Sequence, residues 1–133
     1  MRFIPGIMMA TVLAGCGGTS FNKIGCDPST SSCSLACTSG TCEGTCGPSC
    51  SGACSGGSKF TVTAGNSASL NCTSGATCSF TVGASSSIGC TGATCHAVCT
   101  GSCNVGCASG STCDLKCASD AAPHSVPGGG SCT

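Results

Sequence analysis

Eighteen cysteines in 133 residues are the side chains of this sequence most able to do chemistry. Thiols offer three kinds: metal ligation, nucleophilic or redox catalysis, and disulfide formation. Spacing separates them. Structural zinc sites draw on Cys-x-x-Cys pairs or on histidines at short fixed intervals. This chain has no Cys-x-Cys and no Cys-x-x-Cys, and its two histidines, His96 and His124, do not stand at ligand spacing. No metal is expected. Cys46-Gly-Pro-Ser-Cys50 has one residue too many for a thioredoxin-type motif. His96 falls at an outward position beside Cys95, with no carboxylate pair, activated serine or phosphate-cradling loop to work with it. No catalytic residue, no cofactor and no enzymatic activity are therefore expected, and disulfides are left as the purpose of the cysteines.

The rest of the composition requires such cross-links. From Cys16 onward there are only thirteen large apolar side chains, with no Trp and no Tyr anywhere, so packing alone cannot hold a domain of this length. Disulfides persist outside the reducing cytosol, which places the chain in an oxidising compartment. Formal net charge is zero, about −1 once Arg2 is removed with a leader, and no basic patch exists that would hold nucleic acid.

The elements that must position the cysteines come from an internal period of 17 to 18 residues between Cys33 and Cys117. Each period holds two five-residue segments. The first type occupies 33–37 (CSLAC), 50–54, 68–72, 86–90 and 103–107; the second occupies 42–46 (CEGTC), 60–64, 78–82, 95–99 and 113–117. Positions one, three and five are Cys or apolar and positions two and four mostly polar, the alternation of a half-buried strand. Turns of the type Thr-Ser-Gly-x-Thr lead from first to second, with Gly40, Gly57, Gly75, Gly92 and Gly110 expected in the left-handed region. Shorter turns through Gly47, Gly65, Gly83 and Gly101 lead back.

The pattern predicts an all-β fold: a narrow β-solenoid of about five coils, two strands per coil, laced by disulfides. Leu35, Gly52, Leu70, Ile88 and Val105 would form one internal column, facing Gly44, Val62, Phe80, Ala97 and Leu115. An antiparallel β-meander is the alternative with the same strand pattern, but it would leave its Cys-rich face unshielded.

Two cysteines at the ends of one five-residue strand lie roughly 13 Å apart, beyond disulfide reach, so partners must lie across turns. Wherever a strand ends in Cys the next almost always begins with one: Cys37 with Cys42, Cys46 with Cys50, Cys72 with Cys78, Cys90 with Cys95, Cys99 with Cys103 and Cys107 with Cys113. Extending the rule to the ends adds Cys26 with Cys33 and Cys117 with Cys132. Cys54 is left as a free thiol, because Phe60 occupies its mate's position. Its expected state is buried and inert, with a reactive thiol or an intermolecular link as the alternative.

Residues 1–15 carry Arg2, an apolar run from Phe3 to Leu13, and then small residues, which reads as a secretory signal too short to span a bilayer. The junction Leu13-Ala14-Gly15-Cys16 resembles the bacterial lipobox in all four positions. That resemblance implies cleavage before Cys16, a diacylglyceryl thioether on its sulfur and acylation of its new amino group. Gly17 in place of an acidic residue implies the outer membrane by the same resemblance. Residues 16–32 then read as a lipidated tether, 33–117 as the Cys-rich β-repeat domain, and 118–133 as a flexible Gly/Pro tail, pinned if Cys117 pairs with Cys132.

Outward positions would form one face of Ser34, Ala36, Ser51, Ala53, Ser69, Asn71, Ser87, Gly89, Asn104 and Gly106, and a second that bears threonines. The disulfide-rich repeats are similar to insect antifreeze solenoids, but those carry Thr on both sides of a Cys, a pattern absent here. The chain as a whole resembles the small cysteine-rich bacterial lipoproteins. The function expected is that of a membrane-anchored cell-envelope lipoprotein acting as a rigid structural or surface-interaction module. Its partners would be the membrane, through the lipid anchor, and a polysaccharide or protein surface; binding of a polysaccharide or another ordered surface is the alternative function.

Overall fold

The computed structural model describes residues 21–25 and 31–133. Every regular element among them is a strand, and the strands fall into two sheets whose members alternate along the chain up to residue 116. One sheet, here sheet A, stacks β1 (Phe21–Gly25), β3 (Thr41–Cys46), β5 (Lys59–Ala64), β7 (Thr77–Val82), β9 (Thr94–Cys99) and β11 (Thr112–Lys116) in parallel. Sheet B stacks β2 (Ser34–Cys37), β4 (Ser51–Cys54), β6 (Ser69–Thr73), β8 (Ser86–Thr91) and β10 (Cys103–Cys107), also in parallel. Each coil gives one strand to each sheet, the architecture of a two-sided β-solenoid. A meander would pair consecutive strands antiparallel; here, from β1 to β11, consecutive strands lie in different sheets.

Register follows the sequence period. Leu35 pairs with Gly52, Gly52 with Leu70, Leu70 with Ile88 and Ile88 with Val105. On the facing sheet Gly44, Val62, Phe80, Ala97 and Leu115 run in line. These two columns, with the cysteines at the coil corners and the apolar residues that replace some of them, such as Phe60 and Val82, make up most of the buried core. A one-residue slip would turn every apolar side chain outward, which is why a period-two pattern repeated over five coils sets register so firmly. Side chains of unequal size compensate between neighbouring positions. Gly52 leaves a gap in its column, the ring of Phe60 stands beside it, and a Cβ on Gly52 would lie 2.8 Å from Leu70 Cδ2 and 3.7 Å from Phe60 Cε1. Phe60 meets Phe80 of the next coil edge to face, with ring centroids 6.1 Å apart.

The two kinds of turn use glycine differently. In the turns from sheet B to sheet A, the glycines are in the left-handed region, as at Gly75 (φ 76°). In the return turns serine takes that conformation, at Ser49, Ser67 and Ser85. Glycine is needed there for another reason: coils stack so closely that a Cβ on Gly83 would collide with the Asn66 side chain and stand 2.9 Å from the Asn66 backbone nitrogen. The Asn66 amide oxygen in turn accepts from the Ala84 N–H at 2.9 Å, tying one return turn to the next.

Both ends differ from the sequence reading. The segment 16–32, read as a tether, contains β1, which pairs in parallel with β3 from Phe21↔Thr41 to Gly25↔Thr45. The segment 118–133, read as a flexible tail, instead folds back over the last coil. In it β12 (His124–Ser125) pairs antiparallel with β11, and β13 (Gly130–Cys132) antiparallel with β10. The last coil would otherwise expose Leu115 and Val105 to water. Val126 is buried at this end, its N–H donates to the Cys113 carbonyl at 3.0 Å, and Cys117 is joined to Cys132. Reversing strand direction ends the parallel ladder, and the edges that remain there are short, 2 residues in β12 and 3 in β13.

Candidate functional site

Two corner lines of sulfur run along the solenoid. At the turns from sheet B to sheet A, disulfides join Cys37–Cys42, Cys72–Cys78, Cys90–Cys95 and Cys107–Cys113. At the return turns they join Cys46–Cys50 and Cys99–Cys103, and Cys117–Cys132 ties in the terminal cap. Their Cα–Cα separations run from 5.5 to 6.3 Å, within the ordinary range for disulfides. Cys33 is also disulfide-bonded. Its expected mate Cys26 lies outside the described residues, as do Leu13, Ala14, Gly15 and Cys16.

Where the return corner lacks a disulfide, other groups fill it. Ala64 and Ala68 meet at one coil, and Val82 and Ser86 at the next, all four buried. The Ser86 hydroxyl donates to the Gly83 carbonyl at 2.8 Å and accepts from the Ala68 N–H at 3.1 Å, so a polar side chain sits inside at no cost in unmade hydrogen bonds.

The first corner line has one gap, at Cys54. This thiol is free and only 1% exposed. Its Sγ lies 3.1 Å from Ser58 Oγ, and Ser58 is buried too. The Ser58 hydroxyl is 2.5 Å from the Ser55 carbonyl oxygen, to which it donates, leaving its lone pairs to accept from the thiol. Burial pushes the Cys54 thiol above its ordinary pKa; the hydrogen bond with Ser58 pulls the other way and is the smaller effect.

Stacking brings sulfurs from different coils together. Cys54, Cys72 and Cys78 lie within 4.8 Å of one another, as do Cys90, Cys95 and Cys113, and Cys99, Cys103 and Cys132. A soft metal would want thiolates in such groups, but of these nine sulfurs all except that of Cys54 are in disulfides. The first two groups escape a reading by local spacing because their members come from coils 18 residues apart, and superposing the coils at the repeat period is the signal that finds them. In the third, Cys132 comes from the terminal cap, which no repeat announces.

The outward faces differ in character. On sheet B, Ser34, Ser51, Ser69 and Ser87 follow one another in register, and no charged side chain stands among them. On sheet A the central outward column is Glu43, Thr61, Ser79, His96 and Asp114. His96 Nδ1 lies 2.6 Å from Asp114 Oδ2, an ion pair when the ring is protonated. In the cap, His124 Nδ1 is 3.4 Å from Asp120 Oδ2, and that carboxylate also accepts from the Cys117 N–H at 2.7 Å. A shallow hollow on sheet A is lined by Glu43, Gly44, Thr45, Thr61 and Thr63.

Fold and corners together define a cysteine-rich, disulfide-laced β-solenoid. No family model, curated protein or solved structure matches the chain.

Proposed function

We propose that the chain is a lipid-anchored module of a bacterial cell envelope, a short rigid rod held at the outer membrane as a structural or surface-interaction element. The observation that carries this reading is the unbroken parallel ladder from β1 to β11, which begins at Phe21, five residues after Cys16. Five residues span at most about 18 Å, so a lipid on Cys16 keeps the first coil next to the bilayer. Seven sheet A strands at about 4.8 Å per step make a stack of roughly 29 Å. Disulfides at the corners oppose bending and unwinding, as suits a part that transmits or resists force.

Intact mass of the protein extracted from membranes, before and after reduction and thiol alkylation, tests the reading. A species beginning at Cys16 and carrying acyl mass is expected, with one thiol alkylatable in denaturant before reduction. After reduction 17 are expected, the 18 cysteines less Cys16. An unacylated species recovered from the soluble fraction would overturn the anchor.

The hollow at Glu43, Thr45, Thr61 and Thr63 favours a second reading, binding of a polysaccharide, since hydroxyls and one carboxylate suit a hydroxyl-rich ligand. Saturable binding to an insoluble polysaccharide that is lost in a Thr61→Val, Thr63→Val double variant is its expected signature. Equal binding by the variant would remove it.

A further inference from the structure

The sulfur group at Cys54 contains a thiol and the disulfide that the thiol can attack. Cys54 Sγ is within 4.8 Å of both Cys72 Sγ and Cys78 Sγ, which are bonded to each other. Cys54, Cys72 and Cys78 are each 1% exposed or less, so a dissolved thiol or oxidant has little access to them in the folded chain. Among the described residues, the free thiol beside this disulfide is the chain's own Cys54.

We propose that Cys54, Cys72 and Cys78 form an internal thiol–disulfide exchange centre in which Cys54 displaces Cys78 from Cys72. Cys54 Sγ, as the thiolate, attacks Cys72 Sγ. The Cys72–Cys78 bond breaks, a Cys54–Cys72 bond forms, and the electron pair leaves on Cys78 Sγ, which takes up the proton that Cys54 released. One thiol and one disulfide stand on each side, and no outside reductant or oxidant takes part.

Geometry sets the direction of attack. Cys54 and Cys72 are register partners on the adjacent parallel strands β4 and β6, at a Cα separation of about 4.8 Å, inside the range disulfides occupy. Cys78 stands diagonally across the corner. Combining the 6.2 Å turn span between Cys72 and Cys78 with one rung puts its Cα roughly 8 Å from that of Cys54, too far for a bond without backbone movement. A full rung is slightly wider than the Cβ–Cβ span a disulfide prefers, so β4 and β6 must draw together locally and the exchanged form is the minor one. Ser58 assists: when its hydroxyl turns from the Ser55 carbonyl toward the sulfur 3.1 Å away, it donates to the thiolate. The centre acts as an internal proofreader of one buried cross-link, able to reopen and remake it without unfolding the coil. This holds whether or not the rod is lipid-anchored.

The test follows the free thiol from one cysteine to another. The oxidised full chain is held at alkaline pH for increasing times, quenched in acidic denaturant, and capped there with N-ethylmaleimide before peptide mass mapping. The cap is expected first on Cys54, then partly on Cys78, levelling at a minor share of roughly 1–10% and arriving sooner at higher pH. A cap that stays on Cys54 alone overturns the proposal. So does a cap on Cys72 or Cys42, or one spread over many cysteines, which would mean a different attack or general scrambling. In the variant Cys54→Ser, no cap is expected on Cys78; finding one there would equally overturn it.

Discussion

Phe60 stands across the turn from Cys54, where four other coils place the second half of a disulfide. Its ring lies against the space left by Gly52, so the coil exchanges a cross-link for an aromatic core residue. Substituting Phe60→Cys should close a bond between Cys54 and the introduced thiol and leave no free thiol at this corner, which mass spectrometry with alkylation reads directly. The variant should still be less stable. Losing a buried Phe costs about 3–5 kcal/mol, while a disulfide closing so short a loop returns about 2 kcal/mol. A denaturation midpoint above that of the parent would show that packing at this coil matters less than cross-linking.

The buried Cys54 thiol makes stability depend on pH in one direction. Its pKa in the folded chain is raised above the ordinary value of 9.0, so the unfolded chain loses this proton first as pH rises. The contribution is therefore present in full below about pH 9 and is lost as pH climbs through the raised folded value. Denaturant midpoints measured on both sides of pH 9 should fall at the alkaline end, and the fall should be smaller in Cys54→Ser. An equal fall in the two proteins would assign the effect to other groups.

Glycines in the two kinds of turn should respond differently to alanine. At Gly110 nothing lies within 4 Å of a new Cβ, and the cost is only that of a left-handed backbone (φ 81°), about 1 kcal/mol. At Gly83 the Cβ meets the Asn66 side chain and the backbone of the coil below, including Gly65 C at 2.9 Å, so Gly83→Ala should cost about 1–3 kcal/mol or more. Chemical denaturation of the two variants side by side checks the order.

The His96–Asp114 contact should add little to stability. The pair is close, at 2.6 Å, but about half of the His96 side chain is exposed, and water and salt screen such pairs. Asp114→Asn is expected to shift unfolding by less than about 1 kcal/mol at neutral pH. A larger loss would give this contact a structural role that its exposure argues against.

Reduction should remove the fold. The core has few large side chains, and each corner disulfide contributes about 2 kcal/mol by the chain-entropy relation. In denaturant plus reductant, followed by dilution with the thiols capped, the β-type circular dichroism is expected not to return. Its full return would mean that the stacked columns of Leu70, Ile88 and their neighbours hold the solenoid unaided.

By itself the sequence determined the coil. Alternation in segments such as 33–37 and 113–117 decides which side chains face inward, and pairs such as Cys90 with Cys95 are separated by only 5 residues, so a turn alone brings them together. Register across coils followed too, because Leu70 and Ile88 must share one narrow core. Relations between coils that the period does not repeat were settled by tertiary structure alone. Cys54 becomes a neighbour of the Cys72–Cys78 disulfide only when β6 is laid on β4. Likewise, 118–133 has the Gly and Pro content of a loose tail and no repeat to give it away. It becomes a cap because the last coil offers unpaired backbone and an open core end, which Val126 and the Cys117–Cys132 bond close. Local pattern encodes what is near in sequence; the demand that every buried strand end be covered is met only once the whole stack exists.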